Sequence, residues 1–485
     1  MGTHRGSNHM KPRSLADVVA LMQPSETEVF GGGSVVVGPD VVIDSRAATP
    51  GCLFVAIPGE RVDGHDFAGA AAALGAAAVL GTRAGTAQVP HIICPDSVTG
   101  LSHLARGVVA EARARGMVSI GVTGSSGKTS TKDLLAQVLE SAGPTVSPVG
   151  SQNNEIGVPL TACRVAPDTR FLVSEMGARG IGHIAWLTSL VGLDVGVVLN
   201  IGTAHVGEFG DKLMTAAAKG ELVEGLPYEG WAVLNADDPL VAGMAARTRA
   251  GIAWFGEGDL PEGALQVRAR GVQSDALSRH SFDLVATREG RTVSAPVQLQ
   301  VIGRHQVSNA LAAAAAALAV GMDVDAVATA LSSAGPRSKW RMELHRRTDD
   351  VVVLNDAYNA NPDSVAAALR TAVEIGRSQR ARHADARVLA VLGDMLELGP
   401  DAALLHATTG RLAADLGVDL VVAVGDLAAA LADGAVAGGA AALVSSRESA
   451  AEVLGVRPGD VILVKGSRGV GLEMVAAQLL EGEVT

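Results

Sequence analysis

The sequence predicts an α/β fold of several domains built on mainly parallel sheets. Three observations predict it. Strand-like runs alternate with Ala-rich helical runs along almost all of the 485 residues, the pattern of strands joined by crossover helices. At residues 118–132 an apolar strand runs into a glycine-rich loop, a lysine and a helix, the order of a P-loop ATPase-like sheet. The last third repeats strand and helix in the manner of an open, Rossmann-like doubly wound sheet.

Taken in order, the first segment, 11–112, carries short strands at 35–37, 41–43 and 53–57 and a helix from about 66 to 78. Residues 1–10, with His4, Gly6-Ser7 and His9-Met10, read as a leader outside the fold. The second segment, 113–336, has strands at 118–123, 171–174, 195–200 and 231–234 and helices at 214–226, after Asn309 and at 324–333. Residues 257–300 are polar and Gly-interrupted, and are expected as inserted hairpins. The third segment, 337–485, has strands at 351–355, 388–392, 420–424 and 461–464. Gly335-Pro336-Arg337 is turn-like and is expected as the hinge.

A chain of this length forms two to four domains. A formal net charge of −12 argues against nucleic-acid partners, since phosphate neutralisation needs a basic face. Cys52, Cys94 and Cys163 show neither disulfide pairing nor C-x-x-C metal spacing, and point to a reducing cytoplasm. The Ala-rich tract 310–320 is too short and weakly apolar for a membrane span and reads as a buried helix. The expectation is a cytoplasmic monomer.

The chemistry begins at Gly124-Ser125-Ser126-Gly127-Lys128-Thr129-Ser130. Backbone N–H groups of such a turn, the positive end of the following helix and the Lys128 ammonium converge on phosphates, while the Thr129 hydroxyl suits Mg²⁺. Gly124 and Gly127 let the backbone approach the anion. The general pattern G-x-x-x-x-G-K-[ST] is incomplete, because its first glycine falls on Val122. Leu134, Leu135, Val138 and Leu139 give the next segment a helical apolar stripe. Glu175 and His205 follow later strands, and Lys219 lies on the next helix. A phosphate loop, a carboxylate and an imidazole at strand ends suggest Mg²⁺-nucleotide chemistry.

Together with that loop, Asn153-Asn154-Glu155-Ile156-Gly157-Val158-Pro159, Glu175-Met176-Gly177, the run from Asn200 to Gly210 and Ala218-Lys219-Gly220-Glu221 resemble the Mur ligases in order and spacing. These are ATP-dependent amide-bond-forming enzymes of peptidoglycan synthesis. Asp44-Ser45-Arg46, residues 50–56 and Asp63-Gly64-His65-Asp66-Phe67 resemble a UDP-sugar-binding first domain of that family. Residues 355–364 and 392–399 are similar to the member that adds D-alanyl-D-alanine to UDP-N-acetylmuramoyl-tripeptide. In this family the departure at Val122 is normal. The member adding the third peptide residue usually carries an Asp-Asn-Pro-Arg-type element, which this sequence lacks.

The resemblance implies ATP as nucleotide, with Lys128 on its phosphates and Asn154 beside the transferring group. It implies two Mg²⁺ ions, one held by Thr129 and Glu175, the other held or oriented by His205 and a carbamylated Lys219. Asn309 would contact the nucleoside, with His305 near the adenine. Arg341 and Asp356 would reach ATP from the third domain. Ser45 and Arg46 would serve the UDP portion, and Tyr358, Asn359, Lys465, Ser467 and Arg468 would border the amine substrate.

The residues alone leave plainer readings open. Asp356 reads equally as a helix cap, Arg341 as a surface ion pair and Asp44-Ser45-Arg46 as a strand-end turn. Trp186, Trp231, Trp254 and Trp340 read as packing anchors. Asn235-Ala236-Asp237-Asp238-Pro239 is turn chemistry first. From another class, a P-loop regulatory switch or binding module would share the loop.

Overall fold

The protein is described by a computed structural model covering residues 9–481 except 24–25, 32–33, 60 and 203–211. His205 and the rest of its motif from Thr203 to Gly210 lie outside the described residues.

The first sheet has five strands in the order Glu28–Phe30, His91–Ile93, Ala78–Gly81, Leu53–Val55, Val41–Val42. All its pairings are parallel except the first. The expected helix at 66–78 is shorter than its alanines suggest: a turn at Gly64–Phe67 leads into Ala68–Ala73, and Ala78 already belongs to a strand. Gly75 at φ +106° reverses the chain there. Ala78, Val79 and Leu80 are fully buried, so packing between two parallel neighbours overrides the helix propensity of alanine. The leader expectation is also corrected at its end. Met10 is 1% exposed and packs in the first core, because its side chain fills apolar space beside Leu15 and Val37.

The central sheet has nine strands, and Val118–Thr123 lies between Phe171–Glu175 and Val195–Val198, parallel to both. Ile120 and Val122 pack against Leu134, Leu135, Val138 and Leu139 of the helix Lys128–Glu140. Each such buried side chain contributes about 1.5–3 kcal/mol, which anchors the loop between strand and helix. The Ala-rich tract lies in the helix His305–Ala319, where Ala310 to Ala317 are fully buried. Small side chains let this helix approach the loop helix closely. Among the described residues no helix is long and apolar enough to cross a membrane.

Residues 257–300 form the expected hairpins, built into the central sheet of the second domain. Leu265–Ser274 adds parallel to Gly251–Gly256, and Arg279–Arg288 and Arg291–Ile302 continue the same sheet antiparallel. Alternating burial on these strands, as in Val267, Leu284, Val297 and Leu299, explains the polar appearance of a one-sided sheet.

The third sheet has six strands in the order Glu343–Arg346, Val352–Asp356, Val461–Lys465, Val388–Gly393, Leu420–Val424, Ala441–Val444, parallel except for its first pair. The hinge expected at Gly335-Pro336-Arg337 is corrected. Gln137 exchanges two hydrogen bonds with the Gly335 backbone, Glu140 takes a bidentate pair from Arg337, and Asp133 accepts from Ser338 N. Residues 133, 137 and 140 share one face of the loop helix, so the segment to Ser338 is bolted to the central domain. Past it, Trp340 (φ 58°) and Met342 (φ 50°) adopt left-handed backbone, which costs a non-glycine residue about 1 kcal/mol or more.

Candidate active site

A cavity of about 500 Å³ opens between the phosphate loop and the third domain. Strand register builds its central wall: Glu175 is the partner of Val122, and Val198 of Thr123, so Glu175 and Asn200 emerge on either side of the loop. Gly127 begins the loop helix at φ +81°, and a Cβ there would lie 2.5 Å from Asn309 Oδ1. The loop is further held by Asn200, which accepts from Ser126 N at 2.9 Å and donates to Ser126 O at 3.2 Å.

Lys128 Nζ donates to Gly124 O at 2.7 Å, folding the ammonium over the loop. Burial lowers its pKa, opposed by the charge of Glu175. Ser151 links the two expected metal ligands, contacting Thr129 Oγ1 at 3.4 Å and donating to Glu175 Oε1 at 2.6 Å. Asn153 Nδ2 donates to the same Oε1 at 2.8 Å. Glu175 Oε2 is buried and has no hydrogen-bond partner among the described residues. A fully buried carboxylate with an unmatched oxygen beside a hydroxyl is a donor set that fits Mg²⁺.

Lys219 reaches the same cavity from the helix Lys212–Glu224 and is 1% exposed. Burial, reinforced by the charge of Lys128, pushes its pKa well below that of an ordinary lysine. The side chain is therefore inclined to the neutral, nucleophilic amine.

Across the cavity, Arg341 donates to Thr129 Oγ1 at 3.2 Å, and its guanidinium lies 4.2 Å from the centre of the Tyr358 ring. It is thus an interdomain contact, not a surface ion pair. Asp356 is the cross-strand neighbour of Lys465 and accepts from its Nζ at 2.5 Å, while also accepting from Met342 N. It fastens the Arg341 segment to its own sheet rather than capping a helix. Burial lowers the Lys465 pKa and Asp356 opposes it. Arg468 stacks at 4.1 Å on Trp340 and pairs with Glu473. Trp340 is therefore a stacking platform for Arg468, contrary to expectation, whereas Trp231 packs against the central core as expected and also carries Arg288 at 5.1 Å. Trp254 is 5% exposed and packs as expected.

The cavity brings together Ser125, Ser126, Gly127, Lys128, Thr129, Ser130, Asn154, Glu175, Lys219, Arg341, Tyr358, Asn359, Ser467 and Arg468. Gly124 contributes its carbonyl from behind. Asn309 does not line it: its side chain is satisfied by Thr131 and Gln306 and buttresses the loop. His305 also stands outside, with no partner for Nδ1 among the described residues and its pKa lowered to about 4 by burial. Asp356 and Lys465 lie behind the lining. Ser45 and Arg46 sit in the first domain, in a short helical turn capped by Asp44. Arg46 is 89% exposed and pairs with Asp44 at 2.7 Å, which holds the carboxyl at a pKa of about 2. Sequence reasoning gives Ser151 and Asn153 no role: Ser151 lies outside every motif, and Asn153 opens the motif in which only Asn154 is assigned one. Asn235 and Asp238 tie strand ends together through Leu199 O and Ile201 N, the turn role expected.

A buried phosphate loop, an unmatched carboxylate and a depressed lysine facing a second α/β domain define a nucleotide-dependent group-transfer site. Three family descriptions match the chain: Mur ligase family, catalytic domain, over residues 40–120; Mur ligase middle domain over 122–317; and Mur ligase, glutamate ligase domain, over 340–468. The chain belongs to the Mur ligase family. It is 42% identical to the UDP-N-acetylmuramoyl-tripeptide--D-alanyl-D-alanine ligase of Mycobacterium tuberculosis strain H37Rv, over 96% of this chain and 98% of the relative. The enzyme of the same name from Escherichia coli K12 is 34% identical over 91% and 93%. Among solved structures, MurF from Acinetobacter baumannii matches with a TM-score of 0.83 at 29% identity, covering 97% of this chain and 99% of that one. MurF ligase from Thermotoga maritima in complex with ADP matches with a TM-score of 0.73 at 26% identity over 91% and 96%.

Proposed function

We propose that this protein is the ATP-dependent ligase that joins D-alanyl-D-alanine to UDP-N-acetylmuramoyl-tripeptide in peptidoglycan precursor synthesis. The near-full-length identity to enzymes of that name carries the reading, and the cavity supplies the chemistry it needs. The tripeptide carboxylate attacks the γ-phosphorus of ATP, ADP leaves, and an acyl phosphate forms. The dipeptide amine then adds to the acyl carbon and phosphate departs, leaving the new amide.

Lys128 and the loop N–H groups hold the phosphates, and Asn154 lies beside the transferring group. Mg²⁺ at Thr129 and Glu175 would neutralise the repulsion between a carboxylate and a triphosphate. Lys219 takes part as a carbamate: its neutral Nζ bonds to the carbon of CO₂ and loses a proton, and the resulting group, one negative charge shared over two oxygens, would with His205 hold or orient a second cation. Asn309 and His305 serve the nucleoside side. Arg341 and Asp356 act on ATP when the third domain closes, excluding water from the acyl phosphate. Ser45 and Arg46 serve the UDP portion, and Tyr358, Asn359, Lys465, Ser467 and Arg468 the dipeptide.

We divide the chain into three domains as the sequence suggests, with the first extended to Met10 and the second to Ser338 by their packing. The protein works as a monomer in the cytoplasm, where ATP and nucleotide-linked precursors occur. Incubation with ATP, Mg²⁺, UDP-N-acetylmuramoyl-tripeptide and D-alanyl-D-alanine should yield a product heavier by the dipeptide less one water by mass spectrometry. An unchanged acceptor would overturn the reading.

A further inference from the structure

Lys219, Gly220 and Glu221 are consecutive on one helix, and each is held by different surroundings. Lys219 reaches the cavity. The Glu221 carboxylate accepts from Gly182 N at 2.5 Å and Ala185 N at 3.0 Å, at the start of the helix His183–Val191. Over Gly220 lies the guanidinium of Arg247, from the short turn Gly243–Arg247. Its Nη1 donates to Ala216 O at 3.0 Å, Nη2 to Ala217 O at 2.8 Å and Nε to Glu224 Oε1 at 2.8 Å. One side chain therefore grips this helix on both sides of Lys219.

A Cβ at position 220 would lie 1.8 Å from Arg247 Nη1. Glycine inside a helix is unfavourable relative to alanine by about 0.5–1 kcal/mol, and nothing in the helix itself requires it there. The space it leaves is the space the guanidinium fills. A side-chain methyl would drive Arg247 off both carbonyls.

We infer that Arg247 is a positioning residue for Lys219, and that Gly220 is small so that Arg247 can seat. Fixing the turn Ala216–Gly220 fixes where Nζ of Lys219 stands relative to Lys128 and Glu175. A carbamate there must be placed closely to orient a cation, so the grip governs turnover more than substrate affinity. The inference rests on the ligase reading and on Lys219 acting in the cavity.

The test is a cycle of Arg247→Ala, Gly220→Ala and the double variant, with Arg247→Lys as the conservative change. Melting temperature, kcat, each KM and the bicarbonate concentration giving half-maximal activity are measured on the whole enzyme. Both single variants should lose roughly tenfold or more in kcat with each KM within about twofold, and the double should be no worse than either single. Bicarbonate demand should rise in all three, and Arg247→Lys should recover part of kcat. A purely structural role would lower melting temperature and the active fraction without moving the bicarbonate requirement. Gly220→Ala behaving as wild type, additive losses in the double, or an unshifted bicarbonate requirement with wild-type demand intact would overturn the inference. If wild-type activity ignores bicarbonate, the carbamate reading fails separately, and the kcat cycle alone decides the positioning role. If wild type makes no product, the ligase reading has failed, and the positioning inference falls with it.

Discussion

Arg341 of the third domain donates to the hydroxyl of Thr129 in the phosphate loop of the second at 3.2 Å. The residues flanking Arg341, Trp340 and Met342, both have left-handed backbone, while the chain up to Ser338 is bolted to the loop helix. A rotation of the third domain is therefore expected to pivot at Lys339 and Trp340, next to the group that touches the loop. Arg341→Ala should raise KM for ATP roughly tenfold while melting temperature changes little, since the stack on Tyr358 is worth about 0.5–1 kcal/mol. An ATP KM unchanged by this substitution would detach Arg341 from nucleotide binding.

Closure about that pivot should make the particle more compact when an ATP analogue and the UDP-substrate are both bound. Small-angle scattering measures this directly. A radius of gyration that stays constant from free to saturated enzyme would count against closure from an open state.

Lys128→Ala removes the charge that faces the phosphates. A fall in kcat/KM of at least about a hundredfold, or roughly 2.7 kcal/mol, is expected. Near-normal turnover by a folded variant would remove the loop from the chemistry.

Arg46→Ala should weaken UDP-substrate binding in calorimetry and leave ATP affinity intact. It should also alter acid stability. Arg46 depresses the folded pKa of Asp44 to about 2, below the unfolded value, so the pair's stabilisation is present above about pH 4 and is lost as pH falls towards 2. The variant should lack that part of the acid limb. Weakened ATP binding with normal UDP-substrate binding would refute the assignment of the first domain.

Lys219 has a pKa lowered by burial, so the unfolded chain binds its proton over a window in which the folded chain does not. This group's contribution to stability therefore rises with pH across that window. The neutral amine that this shift favours is the form that reacts with CO₂. Lys219→Arg should be inactive, and bicarbonate depletion should lower wild-type activity. Retained activity in Lys219→Arg, with no bicarbonate effect, would favour an ammonium touching phosphate directly.

Much of this molecule was legible because its strands are apolar and its loop chemistry is local. Val118–Thr123 and Leu420–Val424 match expectation to the residue, since both are bounded by turns. The helix expected at 66–78 overran because alanine favours helices while burial decided for a strand. The hinge was misplaced because Pro336 and Gly335 mark a turn but not whether it moves. That depends on Gln137 and Glu140, almost 200 residues earlier in the chain. The carboxylate Glu175 was visible at a strand end, whereas Ser151 and Asn153, which hold it, become neighbours only through sheet register and loop packing. The grip of Arg247 on the lysine helix is equally non-local.

The central claim is tested most directly by measuring ATP-dependent phosphate release with UDP-N-acetylmuramoyl-tripeptide, with and without D-alanyl-D-alanine. The account predicts sustained release only when the dipeptide is present, with one phosphate per amide formed. Equal sustained release without the dipeptide, or release stimulated instead by a diamino acid on UDP-muramoyl-dipeptide, would contradict it.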